Sequence, residues 1–351
     1  MKKLIYLLGL TLLLLFTAAA CGTTENENAV NDSSSAQQNN QAGDVHEAAP
    51  EDEQSGSSET GPPTGAEQEE GSGTGGFLWK ASHQGNTVYM LGSIHVATED
   101  FYPLHEKIEA AFAESDVLAV EADIVHVNAF ELQKMMDELA AYQDGTTLAD
   151  HLPAELYEAL QNEFKQFGIS LDMFSGYEPW YVQMLLENLQ IMQQGYDATL
   201  GIDYHFLEQA GEQGMDIVEL EGTQFQLEMF DQLSPEIQFM LIESTLQAED
   251  QEQDDSMEQL VEYWKVGDEQ GMAEILLEST DDSPEMEQYM NILLDERNVG
   301  MADKIEQFLT SDEPASYFVV VGAAHYIGDD SIISILKDRG YEIEKEIEQP
   351  E

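Results

Sequence analysis

Two short apolar runs organise the reading of this chain. "TVYML" (87–91) and "YFVVV" (317–321) are dense in β-branched and aromatic residues, and each runs into a glycine, two further residues and a histidine. Runs of this length and composition predict buried strands. "FLWKAS" (77–82) precedes the first run across a "HQGN" turn, which predicts an opening hairpin. "HEKIEAAFAESD" (105–116) then has helical spacing and "VLAVE" (117–121) is again strand-like, so strand, helix and strand form a βαβ unit with a parallel pair.

Between about 128 and 310 the pattern turns helical. "AFELQKMMDELAAY", "PAELYEALQNEFKQFG" and "EPWYVQMLLENLQIMQQG" each space their apolar residues for one buried face, Pro153 suiting a first helical turn. After "LGID", the helix "YHFLEQAGEQG" leads into a strand "DIVELE" (216–221), with Gly211 and Gly214 marking the stop. Residues 235–309 are helical and acidic, broken near "DDSP" (281–284). "YFVVVG", the helix "SIISILKDRG" and the strand "YEIEKEI" close a second βαβ-like unit. The expectation is an α/β fold: βαβ units from both chain ends build a mixed, mainly parallel sheet around a large helical insertion. The Met and Leu stripes of that insertion, Met135, Met136, Met184 and Met192 among them, are core-forming residues that could also line a groove for an apolar or peptidic ligand.

The first 76 residues read differently. Lys2 and Lys3, an apolar run from Leu4 to Phe16 and the small residues Ala18–Ala20 before Cys21 have the layout of an export signal, the run being shorter than the roughly 20 residues of a spanning helix. Ending on the chain's single cysteine, it resembles a bacterial lipoprotein signal, so residues 1–20 are expected to be a signal peptide and Cys21 a lipidated, membrane-anchoring residue. Residues 21–76 are acidic, Gly/Ser-rich and poor in large apolar residues, the composition of a disordered tether. The domain then starts at 77 and runs to 351. A single cysteine also excludes a disulfide framework and thiolate metal clusters. With 71 acidic against 12 basic residues, a net charge of −59, the chain has nothing to displace counterions from nucleic acid or to hold anionic lipid.

In open α/β sheets, reactive groups collect beyond the carboxyl ends of parallel strands. That rule selects His95, Glu121, Glu219 or Glu221, and His325. Two imidazoles and a carboxylate with open positions suit a divalent metal of the Zn, Mn, Fe or Co type. Gly92 and Gly322, three residues before each histidine, let the chain turn without a Cβ in the way. A lone histidine at a strand end is usually a hydrogen-bonded structural residue; the paired occurrence is what points to a site. His205, one helical turn from the rim, is a second-tier candidate with Glu219, while His46, His83, His105, His126 and His151 carry no second signal. Arg297, in "DERN" (295–298), lies in an anionic helical region as one of two arginines of the folded part. It either pairs with carboxylates or polarises a substrate carbonyl.

The ordered set "LWKAS", "VYMLGSIH", "VLAVEAD", "EPW", "LGID" with "FLEQA", "VELEG", "LLDERN" and "FVVVGAAH" followed by "LKDRGYEIE" resembles the TraB, PrgY and GumN family, which includes the animal Tiki proteins. The resemblance covers nearly all of the chain after residue 77. It implies a fold related to the erythromycin-esterase and ChaN-like group. Tiki members act as metal-dependent proteases through two Gly-x-x-His motifs and a Glu, which implies His95, His325 and Glu121 in a metal site; Asp203, Glu221, Arg297 and Asn298 fall on further matching positions. PrgY-type members resemble a factor that shuts off a peptide pheromone. The expected function is that of a membrane-anchored, extracytoplasmic metal-dependent hydrolase acting on peptide or protein, with Glu221 or Asp203 as general base. The alternatives are a lipoprotein that captures peptide without cutting it, or a metal- or haem-binding surface protein.

Overall fold

A computed structural model of the chain describes residues 73–249, 256–278 and 283–347. The expected signal peptide, Cys21 and the tether up to residue 72 lie outside the described residues.

Six strands form one sheet in the order β4-β3-β5-β2-β1-β6. They are β1 (Phe77–His83), β2 (Asn86–Ser93), β3 (Val117–Val120), β4 (Asp216–Glu219), β5 (Ser316–Gly322) and β6 (Ile343–Lys345). Four neighbours, β4, β3, β5 and β2, are parallel; β1 pairs antiparallel with both β2 and β6. This is the mixed, mainly parallel α/β sheet expected. The β1–β2 hairpin closes over Gln84 and Gly85, whose φ values of 51° and 91° are those of the tight mirror-image turns that fit the strand twist. Phe318–Val321 and Val88–Leu91 are buried on both faces, as parallel strands covered by helices must be, which is why their sequences are continuous apolar runs.

The two strands that end in Gly-x-x-His are direct neighbours. β2 and β5 pair in parallel with Gly92 opposite Val321 and Ser93 opposite Gly322, so the residues that follow leave the sheet at the same edge. Close packing there leaves little room for a side chain at Gly92: a Cβ would stand 3.2 Å from the Ala323 Cα and 3.2 Å from the Phe77 Cβ.

The helices used below are α1 (Glu106–Ala113), α2 (Ala129–Leu139), α3 (Ala154–Gln166), α4 (Pro179–Gln193), α5 (Ile202–Gln213), α6 (Thr223–Asp231), α7 (Pro235–Glu249), α8 (Ser256–Val266), α9 (Glu296–Leu309) and α10 (Ile332–Asp338). Within the helical stretch, the expected strand at "DIVELE" is β4, which forms one sheet edge. α4 packs on α7; on α4, Met184 is buried, whereas Met192 is exposed. None of the helices in the described residues is long and apolar enough to cross a membrane.

One buried carboxyl in this helical layer is poorly compensated. Glu187 on α4 is 2 % exposed; the Gln183 amide donates to its Oε2 at 3.0 Å, while its Oε1 has no partner among the described residues. Burial pushes its carboxyl well above the usual range. The folded state therefore retains a proton that the unfolded chain releases, and stability falls as pH rises above the ordinary carboxylate value. Glu187→Gln is expected to stabilise the fold at pH 8 by more than about 1 kcal/mol, because retaining the proton costs about 1.4 kcal/mol for each pH unit above the unfolded carboxyl's value, and by much less at pH 4.5. Urea denaturation at the two pH values checks this; an equal effect at both would contradict it.

Candidate active site at the carboxyl ends of the strands

The turn after β2 carries His95 and the turn after β5 carries His325, while Glu121 follows β3, which pairs with β5 on its other side. Three sequence-distant side chains thus meet over one strand edge because β5 lies between β2 and β3. The point where a Cβ on Gly322 would sit is 3.1 Å from His95 Nε2 and 3.4 Å from Glu121 Oε1. The missing side chain at Gly322 is what lets these two groups approach. His325 Nε2 lies 3.9 Å from the same Glu121 oxygen.

Each ring is held from behind. His95 Nδ1 bonds Asp203 Oδ2 at 2.7 Å, and the Ser93 hydroxyl donates to Asp203 Oδ1 at 2.9 Å. Asp203 is placed by the start of α5, where the Ile202 N–H donates to the Ile94 carbonyl at 3.0 Å. That approach requires a glycine: a Cβ on Gly201 would stand 2.2 Å from the His95 carbonyl oxygen. His325 Nδ1 bonds Asn298 Oδ1 at 2.7 Å, and the Asn298 amide donates to the Asp330 carbonyl at 3.0 Å. With the amide nitrogen so committed, Asn298 can only accept from the ring. Both imidazoles, when neutral, accordingly carry their proton on Nδ1 and present a lone pair on Nε2.

Arg297 closes the other side. Its Nη2 donates to Glu121 Oε2 at 2.6 Å and to Glu221 Oε2 at 2.7 Å, its Nε to Glu221 Oε1 at 2.8 Å, and its Nη1 to the Leu293 carbonyl at 3.0 Å. The Gln226 amide bridges Glu121 Oε2 at 3.0 Å and Glu221 Oε2 at 3.2 Å. The backbone reinforces the pairing, since the Glu221 and Gly222 N–H groups both donate to the Glu121 carbonyl at 2.9 Å. Of the two readings of Arg297, the carboxylate-pairing one is the geometry present.

The fields around the two rings differ. Burial would depress His95, but Asp203, with Glu121 behind it, raises it above its ordinary value. Burial, then the Arg297 and His95 charges, push His325 well below its own. Burial raises Glu121, with Glu221 adding to the rise while Arg297 and His95 oppose it. Two chemically identical rings are thus set apart by what stands behind them.

The donor chemistry fits a divalent cation: two Nε2 lone pairs and Glu121 Oε1, which accepts one hydrogen bond from the Gly322 N–H at 2.8 Å and keeps a second lone pair. The carboxylate and amide behind the rings are the supports that metal-binding histidines require. Among the described residues, however, no three His, Cys, Asp or Glu side chains are drawn together into a closed ligand set.

Of the expected residues, His95, Glu121, His325, Asp203, Glu221, Arg297 and Asn298 come together at one sheet edge as three hydrogen-bonded groups: His95 with Asp203, His325 with Asn298, and Arg297 with Glu121 and Glu221. His205 stands apart. Its ring packs on Tyr102 at 4.6 Å and takes a contact from the Gln209 amide at 2.6 Å, burial lowering its proton affinity. Glu219 is also outside, accepting from the Asp123 N–H at 2.8 Å. Sequence reasoning missed Ser93, Gly201 and Gln226. Ser93 and Gly201 stand inside motifs already singled out, whereas Gln226 has no signal beyond its position one turn into α6.

The fold and the site define an α/β protein whose strand ends bring together two histidines, three carboxylates and an arginine. Residues 77–345 match the TraB/PrgY/gumN family, and the chain belongs to it. It is 27 % identical over 249 residues to the uncharacterized protein YbaP of Escherichia coli, covering 71 % of this chain and 87 % of that one. It is 22 % identical over 323 residues to metalloprotease TIKI2 of Xenopus tropicalis and 22 % over 317 residues to metalloprotease TIKI1 of Danio rerio, each match covering 76 % of this chain. The matches span 59 % and 62 % of those two animal proteins. No solved structure matches the chain.

Removing the guanidinium leaves Glu121 and Glu221 buried without a cation. Arg297→Met is expected to cost about 3–5 kcal/mol in urea denaturation, the usual result of breaking a buried pair from one side. The Glu121→Gln background should recover part of that loss. A cost below about 1 kcal/mol, the value of an exposed pair, would show that the network does not hold this edge together.

Proposed function

We propose that this chain is a metal-dependent peptide hydrolase with its reaction centre at His95, His325 and Glu121. The observation that carries the reading is the orientation of the two rings: each is fixed through Nδ1, by Asp203 or by Asn298, and each turns Nε2 toward Glu121 Oε1. Family membership and the likeness to animal metalloproteases support the same chemistry.

In this proposal His95, His325 and Glu121 hold a divalent cation of the Zn, Mn, Co or Fe class, which supplies Lewis acidity toward a peptide carbonyl. The chain's own residues do the rest. Asp203 and Asn298 fix the ring tautomers, and Gly322 keeps the space between His95 and Glu121 open. Arg297 keeps Glu121 and Glu221 aimed and balances their charge. Glu221 is the proposed proton acceptor: its oxygens accept from Arg297 and Gln226, but it lines an open cleft, whereas Asp203 is the group that holds the His95 ring. The acidic exterior favours neutral or cationic peptides over anionic ones. A lipid anchor at Cys21 and an extracytoplasmic, membrane-bound location complete the proposal. Both rest on the layout of residues 1–21.

A second reading has its own support: both oxygens of Glu121 already accept hydrogen bonds, from the Gly322 N–H and from Arg297 and Gln226, which suits a site that holds peptide without cutting it. Elemental analysis of protein purified without chelators, paired with a peptide-library cleavage assay, separates the two. Hydrolysis predicts bound metal and turnover, each falling at least tenfold in His95→Ala and His325→Ala. Gly322→Ala is a sharper probe, because its φ is ordinary for alanine while the added Cβ intrudes between the donors. It should lose metal and activity with a melting temperature close to wild type. Unchanged metal content in all three variants would remove the site as drawn, and peptide affinity without products would establish capture.

A further inference from the structure

The two histidine turns are held in different ways. The His325 turn closes on itself: Ala323–His325 is a single 3-10 turn, with the Tyr326 N–H donating to the Ala323 carbonyl at 3.0 Å. The chain that carries His95 is irregular from 94 to 97, and other segments hold it. The Ile202 N–H donates to the Ile94 carbonyl at 3.0 Å. Asp197 ties the exit, its carbonyl taking the Ala97 N–H at 3.1 Å and its N–H donating to the Ala97 carbonyl at 2.9 Å. The entry is tied by Trp264, whose indole N–H donates to the carbonyl of Gly92, the first residue of the motif, at 2.8 Å.

Trp264 has little freedom of its own. It is fully buried in the last turn of α8, and Phe101 stacks with its ring at 5.4 Å between centroids and 27° between planes. A Cβ on Gly76 would stand 3.0 Å from its Cζ2 and 3.2 Å from its Cη2, so the backbone of Gly76 lies against the indole. Residues 74–76, the end of the Gly/Ser-rich stretch, run as a strap between α8 and the chain ahead of α1. The Gly76 and Gly75 N–H groups donate to the Trp264 and Lys265 carbonyls at 3.0 and 2.8 Å. The Thr74 N–H donates to the Pro103 carbonyl at 3.0 Å, and the His105 N–H donates to the Thr74 carbonyl at 2.7 Å. The strap requires glycine twice: a Cβ on Gly75 would overlap the Lys265 carbonyl oxygen, and Gly76 has a φ of 98°.

We propose that Trp264 is a positioning residue for His95, and that the strap at 74–76 holds the indole for that task. Gly92 lies at the end of β2, between Phe77 and Val321 on the neighbouring strands, so its carbonyl sets the direction in which the chain leaves the sheet. A shift there moves the His95 ring relative to Asp203 and Glu121, whereas the self-closed His325 turn keeps its geometry. Residues behind a metal ligand set affinity by about ten- to a hundredfold through such orientation. The inference rests on the hydrolase reading for its catalytic consequence, but the hold on His95 is measured without metal or turnover.

The test reads the Nδ1–H protons of His95 and His325, held by Asp203 and Asn298, by NMR of the full chain with 15N-labelled histidine and no metal added. Zinc affinity is measured beside it by competition titration. Trp264→Phe keeps a ring against Phe101 and removes the donor to Gly92. It should broaden the His95 resonance beyond detection, keep that of His325, and weaken zinc binding about tenfold. Asn86→Ala is the control for a merely structural loss. It cuts two bonds at the other end of β2, to the Leu309 and Ser311 carbonyls at 3.2 and 2.9 Å, and should lower the melting temperature while leaving both resonances and zinc affinity as in wild type. Gly76→Ala, which presses on the indole from the strap, should reproduce the Trp264→Phe pattern and decides in its place if that variant does not fold. A His95 resonance that is absent from wild type, stays sharp in Trp264→Phe, or is lost equally in Asn86→Ala overturns the positioning role; zinc binding and cleavage by wild type then leave the hydrolase standing. If the resonance is lost selectively but wild type binds no zinc, the positioning role stands and the hydrolase falls.

Discussion

The parallel pairing of β2 with β5 is the constraint on which the rest of this molecule depends. With Ser93 opposite Gly322, two strands from opposite ends of the chain release their Gly-x-x-His turns at one level of the sheet. A one-residue slip would reverse the facing of every side chain on the shifted strand, so the buried faces of Val88–Leu91 and Phe318–Val321 enforce the register that the site needs. β3 on the far side of β5 then brings Glu121 to the same edge, and β4 beside it brings Glu221. Core packing and site geometry are one requirement here.

Electrostatics shapes what that edge can do. Arg297, 3 % exposed, sits among buried carboxylates, and the arrangement is stable only because each charge has a partner. The pairing leaves Glu121 Oε1 turned toward the imidazoles while Oε2 is tied to the guanidinium. One carboxylate thereby links a structural ion pair to the proposed reaction centre. The same arginine presses on both rings, but at His95 the Asp203 and Glu121 carboxylates outweigh it.

Much of this was legible in the chain itself. The repeated apolar strand, glycine and histidine identified both turns, because buried parallel strands must be continuous apolar runs and a turn toward a site needs a residue without a Cβ. Arg297 stood out through its rarity in an anionic stretch. What the pattern could not show was adjacency: no periodicity encodes that β5 lies between β2 and β3, and only that order makes His95, Glu121 and His325 neighbours. The same holds for Ser93 and Gln226, whose roles come from partners on distant segments. His205 illustrates the converse. Its place one turn into α5 was read correctly, but a helical residue's facing depends on how the helix docks, and α5 turns this ring to Tyr102. The expectations for the first 72 residues fall outside the described structure.

His95 and His325 are proposed to be ligands to the same cation. X-ray absorption spectroscopy of the zinc-loaded protein measures this most directly. The prediction is an inner coordination sphere with two imidazoles, reduced to one in either His95→Ala or His325→Ala. A sphere made only of oxygen atoms, or one that keeps both imidazoles in either variant, would contradict it.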